Sequence, residues 1–330
     1  MSRKTRKLKN KLLVPIEWIG IGLGFCVIPW LPRRALFGLC DVLSVCVCFL
    51  DRRGKRRALE NLRIASGKQR DLTRVLLFDP DKAKYEPTLS EAKIIRRSYR
   101  NMFRTVGYAF WTCFKARERC AETGIMCEEG KRFLAENKPA VTVSGHIGCW
   151  EILSQLAFLA GHPMMSVAKD VGTGGMTALL MRTRRSIGQE IVHAEGAFKP
   201  LLQGIRDGKS LGLLVDQSVA PKRGGIWVRF FGIPMAVSAA PAFFAAKGKA
   251  PIVVAWSRPL KDGRYRCEVV DTITSDEARD IWATTQRITK DIERIVRRHP
   301  SCWVLNYNFF SNLPTPDEYR SLTEREAKAK

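Results

Sequence analysis

His146 and Glu151 lie in the run Val141-Thr142-Val143-Ser144-Gly145-His146-Ile147-Gly148-Cys149-Trp150-Glu151 and form the pair in this chain best suited to proton transfer. An imidazole can take the proton of a hydroxyl near neutrality, and a carboxylate close by can fix its tautomer and stabilise the imidazolium. The pattern predicts an apolar strand that ends at Gly145, followed by His146 and by a helix that has begun at Glu151. Both side chains then sit at the carboxyl end of a strand, where open parallel sheets carry their sites. The same spacing also suits a capping histidine with a surface glutamate, so the pair alone leaves both readings open. Cys149 beside them is a conceivable nucleophile.

Two further clusters carry chemistry. Arg182, Arg184 and Arg185 fall on a predicted helix entering a loop, where a guanidinium fork can bind a phosphate or a developing oxyanion, or simply face water. Asp216 follows the apolar run 211–215 and can hydrogen-bond an acceptor, buttress His146 and the turn Arg223-Gly224-Gly225, or shape a turn itself. His162 and His193 lack comparable surroundings and read as surface or satisfied core residues. The loop containing Lys169-Asp170 and Gly172-Thr173-Gly174-Gly175 lacks the spacing of a nucleotide-binding P-loop. No zinc-ligand spacing occurs, so no metal site and no resident cofactor are expected.

The elements that must position these residues follow from periodicity. Short apolar runs at 140–144, 164–168, 190–192, 211–215, 252–256 and 265–270 read as strands. Between them, helices are predicted over 152–160, 177–187, 198–206, 239–246 and 276–298. Strands separated by helices require crossover connections, so the predicted class is α/β with a mainly parallel, helix-flanked sheet. Upstream, residues 57–78 read as a basic amphipathic helix, 79–87 as a loop, and Ser90-Glu91 as the start of a helix whose apolar face includes Ile94, Ile95, Tyr99, Met102, Phe103, Val106 and Phe110. Residues 324–330 read as a frayed tail.

Composition narrows the partners. The chain has 330 residues, 45% of them apolar, which excludes wholesale disorder, and 56 Lys+Arg against 32 Asp+Glu give a formal charge of +24. Such a surface attracts polyanions: nucleic acid, anionic lipid, or an acidic protein. The absence of a recognisable nucleic-acid motif argues against the first. Ten cysteines scattered through apolar stretches without a C-x-x-C pair imply a reducing compartment; Cys113, Cys120 and Cys127 recur every seventh residue, but Thr123-Gly124 interrupts the helix that would align them, and they read as core filling.

The N-terminus points to a membrane. Residues 1–11 are a basic tail, residues 12–31 an apolar run broken by Glu17, and residues 35–50 a second apolar run carrying Asp41 and followed by Asp51-Arg52-Arg53-Gly54-Lys55-Arg56-Arg57. Basic residues at both outer ends place both flanks on the cytoplasmic side. A helical hairpin dipping into the bilayer, or an anchor followed by an amphipathic surface helix, fits this pattern, with two buried helices of a soluble domain as the alternative. The expected organisation is a membrane-associated segment over 1–57 and a catalytic domain over 58–330.

The segment Ser144-Gly145-His146-Ile147-Gly148-Cys149-Trp150-Glu151 resembles the G-H-x-G-N-W-E block of the lipid A biosynthesis (lauroyl/myristoyl) acyltransferases, within the glycerolipid acyltransferase superfamily. Asp216-Gln217 is similar to that family's D-Q block, Val228-Arg229-Phe230-Phe231-Gly232-Ile233-Pro234 to its F-F-G-x-P segment, and Ala250-Pro251-Ile252-Val253-Val254 to its A-P-V-V strand. Arg57-Ala58-Leu59-Glu60-Asn61-Leu62 and Arg96-Arg97-Ser98-Tyr99-Arg100-Asn101 resemble two upstream blocks, so the likeness runs in order from about residue 15 to 256. Cys149 departs from the family's asparagine, and the ending His299-Pro300-Ser301-Cys302-Trp303 lacks its basic pattern.

The resemblance implies a glycerolipid-acyltransferase fold and direct acyl transfer through His146 and Glu151, the latter orienting the imidazole. Arg184, which fits best the arginine preceding the R-x-x-x-G glycine, would bind substrate with Arg182, Arg185, Asp216 and Gln217. The donor would be a thioester of acyl carrier protein or coenzyme A, the acceptor a hydroxyl of a lipid A precursor or related glycolipid, and the location the cytoplasmic face of the bacterial inner membrane. Phe230, Phe231 and the helix 239–246 could border an acyl-chain groove. An inactive lipid-binding relative is the competing reading, and a basic nucleic-acid-binding protein a weaker one.

Overall fold

The computed structural model describes residue 15 and residues 18–24, 26–168 and 175–328. The basic tail, Glu17 and the loop residues 169–174 therefore lie outside the described residues. The strands are β1 (Gly124–Met126), β2 (Val141–Ser144), β3 (Met164–Ala168), β4 (Glu190–His193), β5 (Ser210–Leu214), β6 (Gly225–Phe230), β7 (Ile233–Ser238), β8 (Ile252–Pro259) and β9 (Tyr265–Ile273). The helices run from α1 (Arg33–Leu50), α2 (Arg52–Ala65), α3 (Leu72–Leu76), α4 (Leu89–Thr112), α5 (Ala116–Thr123) and α6 (Glu128–Glu136) through α7 (Glu151–Leu159), α8 (Gly175–Ser186), α9 (Phe198–Arg206) and α10 (Ala240–Gly248) to α11 (Ile281–Arg298) and α12 (Pro316–Lys328).

Seven strands form one sheet in the order β1-β9-β8-β2-β5-β3-β4, and β6 with β7 forms a separate hairpin. The strands β8, β2, β5, β3 and β4 are mutually parallel, β9 runs antiparallel to β8, and β1 is parallel to β9. The fold is thus mixed α/β with a mostly parallel central sheet, as the alternation of runs predicts.

Period-two alternation assigns each strand residue to a layer. Ile252, Val254 and Trp256 of β8 pack with α2, α9, α10 and α11 through residues such as Leu59, Leu201, Phe244 and Ile292. Val253 and Ala255 face the other layer, built from Leu36 and Phe37 of α1, Tyr108 and Trp111 of α4, Cys120 of α5 and Ile152 and Leu156 of α7. Every residue of β2 is buried, as a central strand covered on both faces requires. Cys113, Cys120 and Cys127 are buried and in no disulfide, in keeping with core filling.

Several boundaries differ from the sequence expectation for identifiable reasons. The helix expected over 57–78 is two: α2 begins at Arg52, crossing residue 57, and stops where Gly67 turns left-handed (φ 76°), and Asp71 caps the short α3 through the N–H groups of Thr73 and Arg74. The helix expected from 276 begins at Ile281, because Asp280 caps it by accepting from the Ala283 N–H, after a 3-10 turn over Glu277–Arg279. The start of α4 is fixed by a capping box between Thr88 and Glu91; although burial pushes the Glu91 carboxyl up, that cap and the Arg63 and Lys68 cations bring it down to about 2. The β6–β7 hairpin was not expected, since its two-residue turn places Phe231 (φ 54°) before Gly232 (φ 81°), and a phenylalanine is a poor signal for a left-handed position. The Phe231 N–H donates to Glu293 Oε1 of α11 at 2.7 Å, which holds the turn.

No helix among the described residues is long and apolar enough to cross a membrane. In α1, Leu36, Phe37, Cys40, Ser44 and Cys48 are buried, while Val42, Leu43, Val45, Phe49 and Leu50 lie exposed on the outer side. Asp41 is held by Arg104 of α4 at 2.7 Å through both carboxylate oxygens and by Arg100 at 2.9 Å. Burial pushes the Asp41 carboxyl up, but these two guanidiniums hold it below its ordinary value. The two helices touch closely where Gly107 meets Cys40, leaving 2.4 Å between Cys40 Sγ and the place a Cβ would occupy.

The loop after β2 is braced by residues remote in sequence. The Ile147 N–H donates to the Gly145 carbonyl at 2.8 Å, the Gly148 N–H to the Cys302 carbonyl at 2.9 Å, and the Val304 N–H to the His146 carbonyl at 3.2 Å. Gly148 has φ 63°, and a Cβ there would lie 1.8 Å from the Ser257 carbonyl oxygen. Only glycine fits. Gly148→Ala is expected to cost about 1–3 kcal/mol from backbone strain alone, more with the clash, and to be read as a lowered Tm; an unchanged melting curve would show that this loop relaxes freely.

Candidate active site

Register brings two of the candidate groups together. In the parallel pair β2–β5, Ser144 stands opposite Leu214. His146 and Asp216 each lie two residues beyond that pair, so they emerge side by side at the carboxyl edge of the sheet. His146 Nδ1 lies 2.7 Å from Asp216 Oδ1, and the His146 backbone N–H donates to Asp216 Oδ2 at 2.8 Å. Trp303 Nε1–H donates to the same Oδ2 at 2.9 Å.

The Asp216 side chain has no solvent exposure, whereas that of His146 keeps 21%. Burial pushes the Asp216 carboxyl up, but the adjoining imidazole and the hydrogen bonds from His146 and Trp303 outweigh it and hold the group below the usual carboxylate range. An ionised carboxylate only accepts, so Nδ1 carries the proton and Nε2 presents its lone pair. Gln217 Nε2 lies 3.4 Å from that nitrogen. The rings of Trp150 and Tyr307 flank the imidazole, the first edge-on with centroids 5.1 Å apart and the second parallel at 6.5 Å.

Glu151 is close by but differently engaged. Its carboxylate accepts from Arg184 Nε at 2.9 Å and Nη2 at 2.8 Å in a bidentate pair, and from Trp150 Nε1 at 3.1 Å. Burial pushes the Glu151 carboxyl up, and Arg184, aided by the Trp150 indole, brings it below its ordinary value. The carboxylate bonded to the imidazole is therefore Asp216, not Glu151 as expected from the five-residue spacing. The physical reason is the helix start: as the first residue of α7, Glu151 points to the last turn of α8, where Arg184 meets it.

Arg182 and Arg185 are not brought to this site. They line a separate cavity of about 860 Å³ with Thr177, Met181, Ser186 and His193, and Arg182 lies over the Phe114 ring. Cys149 is wholly buried, and burial pushes its thiol far up, which removes it as a nucleophile. Phe230 and Phe231 are 1% and 2% exposed and pack around Trp303, so they are core and border no open groove. His162 is satisfied in the core by Ser210 and the Leu134 carbonyl. Among the described residues no three His, Cys, Asp or Glu side chains converge to hold a metal ion.

Nothing in the sequence assigns Trp303 a site role; it stands only in an ending that departs from the family pattern, whereas the residues that seat it lie in the two upstream blocks. Asn61 Nδ2 donates to the carbonyls of Leu305 and Tyr307 at 2.7 Å, and Asn101 Nδ2 to that of Ser301 at 2.7 Å. Ser98 Oγ donates to the Trp303 carbonyl and accepts from the Leu305 N–H at 3.1 Å. The two upstream sequence blocks thus supply the amides and the hydroxyl that clamp residues 301–307 against α2 and α4.

The N-terminus of α7, a few residues after His146, has no side-chain cap. An uncapped helix N-terminus favours negative charge. An imidazole with an orienting carboxylate close to such a helix start can serve acyl transfer.

Among solved structures, the chain is similar to the 1-acyl-sn-glycerophosphate acyltransferase PlsC from Thermotoga maritima, at 12% identity, with 81% of this chain and 95% of that chain covered and a TM-score of 0.34. None of the curated proteins matches the chain. A model of the bacterial lipid A biosynthesis acyltransferases matches residues 5–310, nearly the whole length and every element of the site, and the chain belongs to that family.

Proposed function

We propose that this acyltransferase moves a fatty acyl group from a thioester of acyl carrier protein or coenzyme A to a hydroxyl of a lipid A precursor or related glycolipid. The observation that carries the chemistry is the Trp303–Asp216–His146 chain, which fixes the tautomer and leaves Nε2 facing outward. The acceptor hydroxyl donates to Nε2, the imidazole takes its proton, and the oxygen attacks the thioester carbonyl. The tetrahedral oxyanion is met by the first N–H groups of α7; its collapse expels the thiolate, which recovers the proton from the imidazolium. Asp216 stabilises the transient positive charge. Gln217, next to Nε2, helps seat the hydroxyl.

The Glu151–Arg184 pair has a positioning role in this scheme. It ties the first turn of α7 to α8 and thereby fixes the donors that face the oxyanion. The exposed apolar side of α1, with Phe49 78% exposed, and Trp30, 84% exposed, supports attachment to the surface of a bilayer, which we place at the cytoplasmic face of the bacterial inner membrane. The positive charge of the chain suits anionic donors and phosphorylated acceptors alike.

The decisive assay offers purified protein defined acyl thioesters and phosphorylated glycolipid acceptors. His146→Ala is expected to lose about 10²- to 10⁴-fold in kcat. Asp216→Asn is expected to lose about 10⁴-fold, because an amide can donate to Nδ1 and favour the wrong tautomer. Activity in Asp216→Asn close to that of the native chain would remove Asp216 from the mechanism.

Glu151→Gln leaves the Arg184 guanidinium buried and uncompensated, with an expected stability loss of about 3–5 kcal/mol; a double change with Arg184→Met should recover much of it. Because the Glu151 carboxyl is held below its unfolded value of 4.5, its contribution is present above that value and is lost as the pH falls through the folded value. Thermal melts across the acid range should therefore show a flatter pH dependence in Glu151→Gln than in the native chain, and parallel curves would contradict this assignment.

A further inference from the structure

Beside the α1–α4 contact lies a cavity of about 760 Å³, whose lining does not include His146 or Asp216, formed by Arg33, Arg34, Arg97, Arg100, Arg104 and Lys261. That volume falls in the range of small-molecule sites. Two carboxylates also line it, Asp41 and Asp262, and both are already neutralised: Asp41 by Arg100 and Arg104, and Asp262 by Arg264 Nε at 2.7 Å. Arg34, Arg97 and Lys261 form no ion pair among the described residues. Arg33 Nε is buried without a hydrogen bond, its nearest carboxylate being Glu122 Oε1 at 3.6 Å. Arg34, Arg97 and Lys261, with no counter-charge among the described residues, focus a positive potential on this concave wall.

The surface next to the cavity has a second character. Arg34 and Gly38 line it, and the same face of α1 continues at helical spacing as Val42, Val45 and Phe49, all exposed. A purely polar partner would leave this apolar stripe against water. A lipid would cover it.

We propose that this cavity receives the phosphate of an anionic membrane lipid, while the Val42–Val45–Phe49 stripe enters the adjoining acyl region. The proposal rests on the membrane-surface part of the functional reading and names its site and ligand. The occupant is a phosphodiester headgroup in a bilayer, bound chiefly by Arg34, Arg97 and Lys261, with Arg100 and Arg104 already oriented by Asp41.

The test is cosedimentation of the full chain with vesicles of phosphatidylcholine alone or mixed with phosphatidylglycerol. The variant Arg34→Gln/Arg97→Gln/Lys261→Gln changes only exposed residues, and Arg132→Gln/Lys199→Gln/Arg206→Gln removes the same charge from exposed positions elsewhere. Affinity for the phosphatidylglycerol vesicles should fall roughly fivefold per cavity cation, about a hundredfold in all, and only a few-fold in the control. Binding to phosphatidylcholine should be weak and alike in all three proteins, and weaker still in Phe49→Ser. Equal losses in both triple variants, or native binding by the cavity variant, would overturn the proposal. So would loss of acyl carrier protein binding in the cavity variant with vesicle binding intact, which would assign the cavity to an acidic protein. The readout is binding rather than turnover, so failure of the acyl-transfer reading leaves this result standing, and the reverse holds.

Discussion

A carboxylate removed entirely from water must be compensated, and the way Asp216 is compensated organises this protein. Its oxygens receive the backbone N–H and the imidazole of His146, just beyond β2, and the indole of Trp303 from a C-terminal segment. Each donor is itself held. The imidazole stands on a loop that only glycine at 148 can shape, and the indole is seated by amides and a hydroxyl from α2 and α4. Losing any of these supports would leave a buried charge short of a partner, a larger cost than the loss of one hydrogen bond.

Much of the fold was legible because hydrophobic period is a local property. The runs at 164–168 and 198–206 coincide with β3 and α9, and the other strands and helices of the alternating region differ by a few residues at their ends. The misses have local causes as well: a capping aspartate at 280, a left-handed glycine at 67, and a phenylalanine in the tight turn of the hairpin. The antiparallel direction of β9 is set by the short Leu260–Gly263 connection, in which the Leu260 N–H meets the Arg264 carbonyl at 2.8 Å.

The site was legible in its members but not in its pairing. His146, Glu151, Arg184, Asp216 and Gln217 all stand within reach of one another's bonding network, yet the partner of the imidazole lies 70 residues away in sequence rather than five. Spacing along a chain cannot report strand register, and here register decides. Trp303 was invisible for the same reason: its role depends on the path of a terminal segment that no period encodes. Arg182 and Arg185 share a sequence cluster with Arg184 but, one and two residues away on a helix, look in other directions.

The seam between α1 and α4 bears on how the enzyme meets its surroundings. With Asp41 locked to two arginines and Cys40 seated against Gly107, the outer helix cannot swing independently of the sheet it covers. Any plane on which its oily side came to rest would therefore fix the height and tilt of His146 above that plane. Reach from such a plane would be set by body geometry, not by the length of a tether.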